Sequence, residues 1–288
     1  MKNKKNYPSE VYLNGNWMPP QEATVSVFDR AFMFGDGIYE VTPFYRGKPF
    51  RLQDHLDRLK YCLGEIKIPF DFSILETLMF EVLSRAGLSD SDAAVYIQVS
   101  RGAAPRTHYF PDDPKPTFLM YAFPAQLEKF QEKRWKVLVS EDFRWQRCDI
   151  KSTALLANTM SNEEAIAGGF DENLLVRDGY FTEGSHSTAF FVSDGTVYTH
   201  PEGPHILSGI TRKLVLEMCR DLGVAYKEEA FLLNNISEVQ EIFLTGTTTQ
   251  ITVVESLHTE GKEIYTSQNG EITARLQEEF ARLTRASQ

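Results

Sequence analysis

Four short turns between apolar runs constrain the fold of this chain most strongly. Asn14-Gly15 divides the run over residues 11–17, and Arg46-Gly47 separates two further extended segments. Later in the chain, Asp178-Gly179 and Asp194-Gly195 again separate pairs of short apolar runs. Since Asn, Asp and Gly accept the left-handed backbone of two-residue turns, the pattern predicts strands paired as hairpins.

Helical periodicity occurs between these hairpins and completes a mixed α/β pattern. Leucines at 52, 56, 59 and 63 predict a helix, and by this spacing alone Arg58 lies off the leucine stripe and is solvated. Further helices are predicted over 154–167, 211–222 and about 271–284. The fold class is therefore α/β (or α+β).

A polar, charged and weakly periodic stretch over residues 124–134 predicts the linker between two domains. The first is a smaller N-terminal α/β domain over 1–123, and the second is a larger C-terminal domain over 135–288. We expect the ligand site in the cleft between them.

Composition excludes several classes of function. The 288-residue chain has a net charge of −10, which disfavours a nucleic-acid or anionic-membrane surface. Its basic first six residues are followed by Tyr7-Pro8-Ser9-Glu10 instead of an apolar core, so we expect no signal peptide.

The three cysteines (Cys62, Cys148 and Cys219) are far apart and form no metal-ligand spacing. Free thiols in the cytoplasm, and no metal site, are the expectation.

Lys151 and Glu183 are candidates for chemistry with pyridoxal phosphate. Lys151 ends an extended segment and precedes an apolar helical stretch, while Glu183 ends a strand just before Gly184-Ser185. A lysine amine can carry this cofactor as a Schiff base, and a carboxylate can keep its pyridine nitrogen protonated. Each residue also has a plain alternative, as a solvated surface lysine and as a turn glutamate.

Two segments could bind the phosphate group of such a cofactor. Gly209-Ile210-Thr211 opens a helix and offers free N–H groups with a hydroxyl, and Gly246-Thr247-Thr248 offers a second group of donors. A capped helix start and a polar turn are the alternatives. The chain contains no Gly-x-x-x-x-Gly-Lys loop, which argues against a nucleoside triphosphate site.

The loop over residues 100–110 could bind a substrate carboxylate. It holds Arg101, Arg106 and His108, and arginines make bidentate contacts with carboxylates. Tyr39, in the glycine-containing segment before a strand, could add a phenol. A basic surface loop and a bulge at the start of a strand are the alternatives.

Taken together and in this order, these segments resemble the class IV pyridoxal-phosphate enzymes. That family includes branched-chain aminotransferases, aminodeoxychorismate lyases and D-amino acid aminotransferases. The resemblance spans about residues 11–280 and rests on four stretches: 29–40, 101–108, 141–152 and Thr199-His200-Pro201. The Pro105-Arg106-x-His108 loop is most similar to the D-amino acid aminotransferases.

The resemblance implies a two-domain fold-type IV enzyme with pyridoxal 5'-phosphate in the cleft. Lys151 would form the Schiff base and move the proton, and Glu183 would pair with the pyridine nitrogen. It also overrules the solvated interpretation of Arg58, which would bind phosphate together with Ile210, Thr211, Gly246 and Thr247. Leu207 would pack near the cofactor ring.

The implied substrates are a D-amino acid, such as D-alanine or D-glutamate, and a 2-oxo acid, such as 2-oxoglutarate or pyruvate. The amino group would pass between them through pyridoxamine phosphate in ping-pong fashion. Tyr39, Arg106 and His108 would hold the substrate α-carboxylate, with the loop donated by the neighbouring subunit of a homodimer that shares its sites.

The chain departs from the family pattern at three positions. His186 and Thr188 stand where serine and asparagine are more common, and Gly246 stands where a hydroxyl side chain is frequent. The first two changes affect the pocket and the third removes one phosphate contact. The alternative functions are an L-branched-chain aminotransferase, an aminodeoxychorismate lyase and a non-catalytic protein that binds pyridoxal phosphate.

Overall fold

Two compact units make up the described part of the chain. The computed structural model describes residues 7–259, 261–268 and 270–286, so the basic residues 1–6 used in the signal-peptide argument lie outside it. The first unit extends to Gln126 and also includes Ile150–Ala154. The second unit comprises Leu127–Asp149 and Leu155–Ala286.

The first unit is built on a six-stranded antiparallel sheet with three helices. The strand order is β2-β1-β6-β5-β3-β4. The strands are β1 (Val11–Leu13), β2 (Asn16–Met18), β3 (Gly37–Tyr45), β4 (Lys48–Pro49), β5 (Ala93–Ser100) and β6 (Thr117–Pro124). The helices are α1 (Arg30–Phe34), α2 (Leu52–Glu65) and α3 (Leu75–Arg85).

Helix α2 buries more than the face that its leucines predicted. Leu59 and Leu63 do enter the core, where they join Ile38 of β3, but Arg58 is also buried, with only 9% of its surface exposed. The solvated interpretation of Arg58 from spacing alone is therefore wrong. The reason is that the buried carboxylate of Glu40 on β3 lies within hydrogen-bond reach of the Arg58 guanidinium.

The second unit is built on a nine-stranded mixed sheet with three helices. The strand order is β12-β11-β10-β13-β14-β7-β8-β9, and β15 pairs with β14. The strands are β7 (Arg134–Glu141), β8 (Glu172–Arg177), β9 (Tyr180–Gly184), β10 (Thr188–Ser193), β11 (Thr196–Thr199), β12 (Ala225–Glu228), β13 (Glu241–Gly246), β14 (Gln250–Thr259) and β15 (Lys262–Thr266). The helices are α4 (Leu156–Ala167), α5 (Ile210–Asp221) and α6 (Glu271–Ala286). The mixture of helices and strands in both units confirms the α/β (α+β) class.

All four predicted turns are present, and both central residues of each have positive φ. The φ angles are 48° and 92° at Asn14-Gly15, 47° and 77° at Arg46-Gly47, 52° and 82° at Asp178-Gly179, and 46° and 69° at Asp194-Gly195. Each turn joins two antiparallel strands. The dipeptides therefore determined the local pairing of the strands.

Lys151 lies in a different unit from the one that the predicted domain boundaries gave it. Those boundaries put it in the C-terminal domain, whereas Ile150–Ala154 belongs to the first unit. The physical reason is backbone hydrogen bonding along β3: Tyr39 N–H donates to the Lys151 carbonyl at 3.1 Å, and Thr153 N–H donates to the Gly37 carbonyl at 2.9 Å. The predicted linker, 124–134, contains the boundary at Gln126 and reaches the first residue of β7.

None of the helices in the described ranges combines the length and the apolar character needed to cross a bilayer.

Candidate active site

Lys151 and Tyr39 are brought together in the first unit. The Lys151 N–H lies 3.3 Å from the Cys62 sulfur on α2, and its carbonyl is held by β3 as described above. Its Nζ lies 4.2 Å from the centre of the Tyr39 ring, within the range of a cation–π contact. The backbone on both sides of the lysine is fixed, which leaves the half-buried side chain in contact with the phenol.

Arg58 is held in the same unit by a buried carboxylate. Its Nε and Nη2 donate to the two oxygens of Glu40 at 2.9 and 2.7 Å, and His55 Nδ1 lies 3.0 Å from Glu40 Oε1. Burial raises the pKa of Glu40, but the charge of Arg58 and the contact with His55 outweigh it, so this pKa is lowered well below its usual value. Burial chiefly lowers the pKa of His55, so its imidazole is neutral at neutral pH.

The loop after β5 separates its two arginines. Arg101 is buried, donates to both oxygens of Asp36 at 2.8 and 2.9 Å, and donates to the carbonyl of Ile66 at 2.6 Å. Arg106 and His108 are exposed. Both lie against Phe34, with the Arg106 guanidinium carbon 5.1 Å and the His108 ring centre 5.9 Å from its ring centre. Arg101 therefore supports the loop, whereas the side chains of Arg106 and His108 are exposed.

Glu183 is the centre of a second buried charge cluster, in the second unit. Its Oε1 accepts from Arg144 Nη1 at 2.5 Å, and its Oε2 accepts from the Leu207 N–H at 3.1 Å. Arg144 also donates to both oxygens of Asp142, each at 2.9 Å. Burial raises the pKa of the Glu183 carboxyl, although Arg144 and the Leu207 N–H oppose this shift. Glu183 is thus a buried carboxylate with a higher proton affinity than an exposed one.

The start of α5 offers free donors. Gly209 is the N-cap residue, and no side chain among the described residues caps the helix there. The N–H groups of Ile210 and Thr211 are in the first turn, where an α-helix has no internal acceptors for them. A Cβ added to Gly209 would lie 2.8 Å from Thr188 Oγ1, so the close packing here requires glycine.

The loop between β13 and β14 carries Gly246 and Thr247. The two strands pair up to Gly246 and Gln250, so residues 247–249 form a tight connection. A Cβ added to Gly246 would lie 3.3 Å from Thr249 Oγ1 and 3.8 Å from the His186 carbonyl oxygen. A hydroxyl side chain at position 246 would therefore press on Thr249, which accounts for one departure from the family pattern.

Several buried charged residues around these side chains were not predicted. Glu40 follows Tyr39 directly, and the alternation of β3 faces could have identified it as buried. Asp142 and Arg144 lie in the stretch that carried the resemblance, but the pairing of Arg144 with Glu183 spans 39 positions and has no local signal. In the part of the chain that the structure describes, no cluster of three or more His, Cys, Asp or Glu could hold a metal ion.

Comparisons with known proteins agree with the geometry. The family model for "Amino-transferase class IV" matches residues 37–257. The chain is similar to the D-alanine aminotransferase of Bacillus licheniformis, at 37% identity over 93% of this chain and 94% of that protein. It is 36% identical to the D-alanine aminotransferase of Staphylococcus aureus (strain N315), over 94% and 96% of the two chains.

Solved structures have a closely similar fold. The branched-chain aminotransferase from the thermophilic archaeon Thermoproteus uzoniensis, solved with norvaline, superimposes with a TM-score of 0.84 at 25% identity. That match covers 97% of this chain and 95% of the solved one. Another branched-chain amino acid aminotransferase, solved with pyridoxamine 5'-phosphate, superimposes with a TM-score of 0.85 at 25% identity, over 99% and 96% of the two chains. The predicted fold-type IV architecture is thereby confirmed.

Proposed function

The chain belongs to the class IV aminotransferases, and from this premise we propose that it transfers the amino group of a D-amino acid to a 2-oxo acid. The family works with pyridoxal phosphate, so transamination is the reaction type. D-alanine is the substrate class named for the two curated relatives, and the Arg106/His108 loop supports the same choice here. The 2-oxo acid acceptor is 2-oxoglutarate or pyruvate.

The residues of both units fit pyridoxal phosphate. The cofactor has an aldehyde, a ring nitrogen and a phosphate, and it needs an amine, a carboxylate and several hydrogen-bond donors. Lys151 supplies the amine and Glu183 the carboxylate. The uncapped first turn of α5 supplies donors with no side-chain partner among the described residues, and Arg58 and Thr247 add to them. Leu207 donates its N–H to Glu183 and would pack near the ring.

The observation that carries the proposal is the position of the Lys151 amine. It lies 4.2 Å from the centre of the Tyr39 ring, and the Lys151 N–H contacts Cys62, which is on the same helix as Arg58. The phenol of Tyr39 on β3 and the guanidinium of Arg58 on α2 thus belong to the two elements that contact the backbone of Lys151.

Each side chain has a defined task in this mechanism. When bound, pyridoxal phosphate supplies an electron sink for the negative charge on the substrate Cα. Lys151 would hold the cofactor through Nζ and would move the proton at the substrate Cα. A positioned base of this kind contributes a factor of about 10²–10⁴ to the rate. The negative charge of the Glu183 carboxylate would keep the proton on the ring nitrogen, because an opposite charge nearby favours the protonated ring.

Substrate handedness follows from where the carboxylate is held. Arg106 and His108 bind the α-carboxylate, together with the Tyr39 hydroxyl. The side chains of Arg106 and His108 are exposed in the single chain, as are the neighbouring Tyr109 and, on α1, the apolar Phe32. We therefore assign this loop to the site of a second copy, in a homodimer with shared active sites. Three buried free thiols fit a cytoplasmic enzyme.

The decisive experiment is to record the visible spectrum of the holoenzyme while D-alanine or L-leucine is added in separate cuvettes. We expect D-alanine alone to bleach the cofactor band. Bleaching by L-leucine instead would favour an L-branched-chain aminotransferase, the activity named for the solved structures of similar fold. No bleaching by any amino acid would leave a non-catalytic binding protein, and Lys151→Ala should show no such band at all.

A further inference from the structure

A buried carboxylate organises the turn that follows Glu183. Glu172, the first residue of β8, is fully buried, and its two oxygens receive hydrogen bonds from the whole turn. Ser185 Oγ donates to Oε1 at 2.5 Å, Ser187 Oγ donates to Oε2 at 2.8 Å, and the Ser185 N–H donates to Oε1 at 3.2 Å. The turn is therefore folded around this carboxylate.

His186 is the cationic partner of that carboxylate. Its Nδ1 lies 3.0 Å from Glu172 Oε2, while 53% of its side-chain surface is exposed. Burial raises the pKa of Glu172, but the charge of His186 and the hydrogen bonds from His186, Ser185 and Asn173 outweigh it and lower this pKa to about 2. Since an ionised carboxylate only accepts hydrogen bonds, Nδ1 donates, and a second proton on the ring makes the contact an ion pair.

The turn is packed too tightly to relax without the carboxylate. The Gly184 N–H donates to the Ser187 carbonyl at 2.6 Å. A Cβ added to Gly184 would lie 2.1 Å from Ser187 Oγ and 3.0 Å from Glu172 Oε2. The position of residues 184–188 thus depends on how firmly Glu172 holds them.

The other side of the turn lies against both candidate phosphate-binding segments. The His186 carbonyl oxygen is 3.8 Å from the Cβ position of Gly246, and Thr188 Oγ1 is 2.8 Å from that of Gly209. Any shift of residues 186–188 would therefore move the start of α5 and the Gly246-Thr247 loop.

Beside the Glu172 carboxylate, the side chains that lie against His186 are neutral, and they include the Ser185 hydroxyl at 3.0 Å from Nδ1. Asn162 of α4 approaches Nδ1 at 3.4 Å, and the Trp135 ring of β7 lies 6.4 Å away between ring centres. The charged residues of α4, Glu163 and Glu164, are both acidic. On β7, the basic residues at 134 and 136 flank Trp135, so the alternation of the strand directs them to its opposite face. The charged group in contact with the His186 ring is therefore Glu172.

We infer that His186 is a positioning residue for the cofactor phosphate: its imidazolium closes the turn over residues 184–188 on Glu172 and so holds the two phosphate-binding segments in place. The inference rests on the proposed function. His186 stands where serine is more common in the family. Serine could not fill this role, because it carries no charge. Cofactor affinity should then depend on pH through this ion pair.

The test is a titration of the apoenzyme with pyridoxal phosphate, followed by visible absorbance at pH 6 and pH 8.5. His186→Gln keeps a polar side chain but cannot be charged. The ratio of affinities at pH 6 and pH 8.5 should be about tenfold larger in the wild type than in this variant, the effect of one charge-assisted contact. Every other titration is common to both proteins and cancels in the comparison.

His258→Gln is the matched control. His258 Nε2 lies 3.9 Å from Glu263 Oε2 in a second histidine–glutamate pair of the same unit. This variant should keep the wild-type ratio. Glu172→Gln should lose the pH dependence as His186→Gln does, and the double variant should lose no more than either single one, because both changes remove the same pair.

Two outcomes would overturn the inference in distinguishable ways. If His186→Gln binds pyridoxal phosphate with the wild-type pH dependence, His186 does not position the phosphate site, and the proposed function stands. If the wild type itself binds no pyridoxal phosphate, the proposed function and this inference fail together.

Discussion

Two buried glutamates, one in each unit, are both paired with an arginine and yet differ in proton affinity. Glu40 in the first unit has a lowered pKa, whereas Glu183 in the second has a raised one. Both are almost completely buried, so desolvation alone cannot explain the difference. The partners of the two arginines explain it.

Arg58 directs two N–H groups at Glu40, and His55 adds a contact, so the charge of Glu40 is well compensated. Arg144 instead directs two N–H groups at Asp142 and one at Glu183. The negative charge of Asp142 also raises the pKa of its neighbour. Burial and the neighbouring Asp142 thus leave Glu183 with a raised pKa, while Arg58 and His55 lower the pKa of Glu40 and give it a charge that braces Arg58.

The strongest test of this comparison removes each arginine. Arg58→Met should cost about 3–5 kcal/mol of unfolding free energy, because it leaves the Glu40 carboxylate buried with only a neutral imidazole. Arg144→Met should cost less, because Asp142 keeps Arg177 at 3.1 Å and Glu183 can take up a proton. Urea unfolding of both apoproteins at pH 7.5 measures the difference, and equal losses would refute this account of the two clusters.

The second test neutralises each glutamate. Glu183→Gln should lower kcat by about 10²–10³-fold, the usual effect of removing one preorganised electrostatic partner, with a smaller effect on cofactor affinity. Glu40→Gln should do the reverse, because it releases Arg58 and weakens phosphate binding. Turnover with D-alanine and titration with pyridoxal phosphate separate the two effects. An unchanged kcat in Glu183→Gln would mean that another group holds the ring nitrogen.

The contrast also shows what the sequence could and could not predict. The turns at Asn14-Gly15 and Asp178-Gly179 were predictable because a two-residue turn depends on the backbone freedom of the residues in it. The burial of Arg58 was not, since the leucine spacing of α2 describes where apolar side chains go. Its partner Glu40 lies 18 positions away, and only the folded sheet brings it beneath the helix.

The candidate site likewise has features that the sequence predicts and features that only the structure shows. Lys151 and Glu183 could be selected from their positions at the ends of extended segments, and the resemblance assigned their roles. That Lys151 belongs to the first unit depends on backbone hydrogen bonds with β3, which no local pattern encodes. Burial raises the pKa of Glu183 and the charge of Asp142 adds to it, while Arg144 opposes both, a relationship that is visible only in the structure.

A third test changes how Arg144 is shared. Asp142→Asn keeps the shape of the side chain but removes its charge, so Arg144 should pair more strongly with Glu183 and lower its pKa. Because Arg144 would then neutralise more of the negative charge that Glu183 offers the ring nitrogen, we expect kcat to fall by about tenfold, the effect of about 1.4 kcal/mol. Thr182→Val is the control, because the Thr182 hydroxyl donates to the same carboxylate at 2.9 Å but carries no charge. If the two variants behave alike, the charge of Asp142 is not what tunes Glu183.

The smallest effect is expected in the pH dependence of apoprotein stability. Glu40, with its lowered pKa, contributes stability that is present above the unfolded value of about 4.5 and is lost as pH falls below it. Glu183, with its raised pKa, has the opposite sign: the folded state binds its proton more tightly, so stability is lost as pH rises through the folded pKa.

Melting curves from pH 4 to pH 8 should therefore show Glu40→Gln approaching the wild type in acid. Glu183→Gln should have the melting temperature of the wild type in acid and a higher one towards neutral pH. The rise should be about 2–4 °C for each kcal/mol of unfolding free energy gained. Parallel curves for the two variants would show that the two carboxylates do not differ in proton affinity after all.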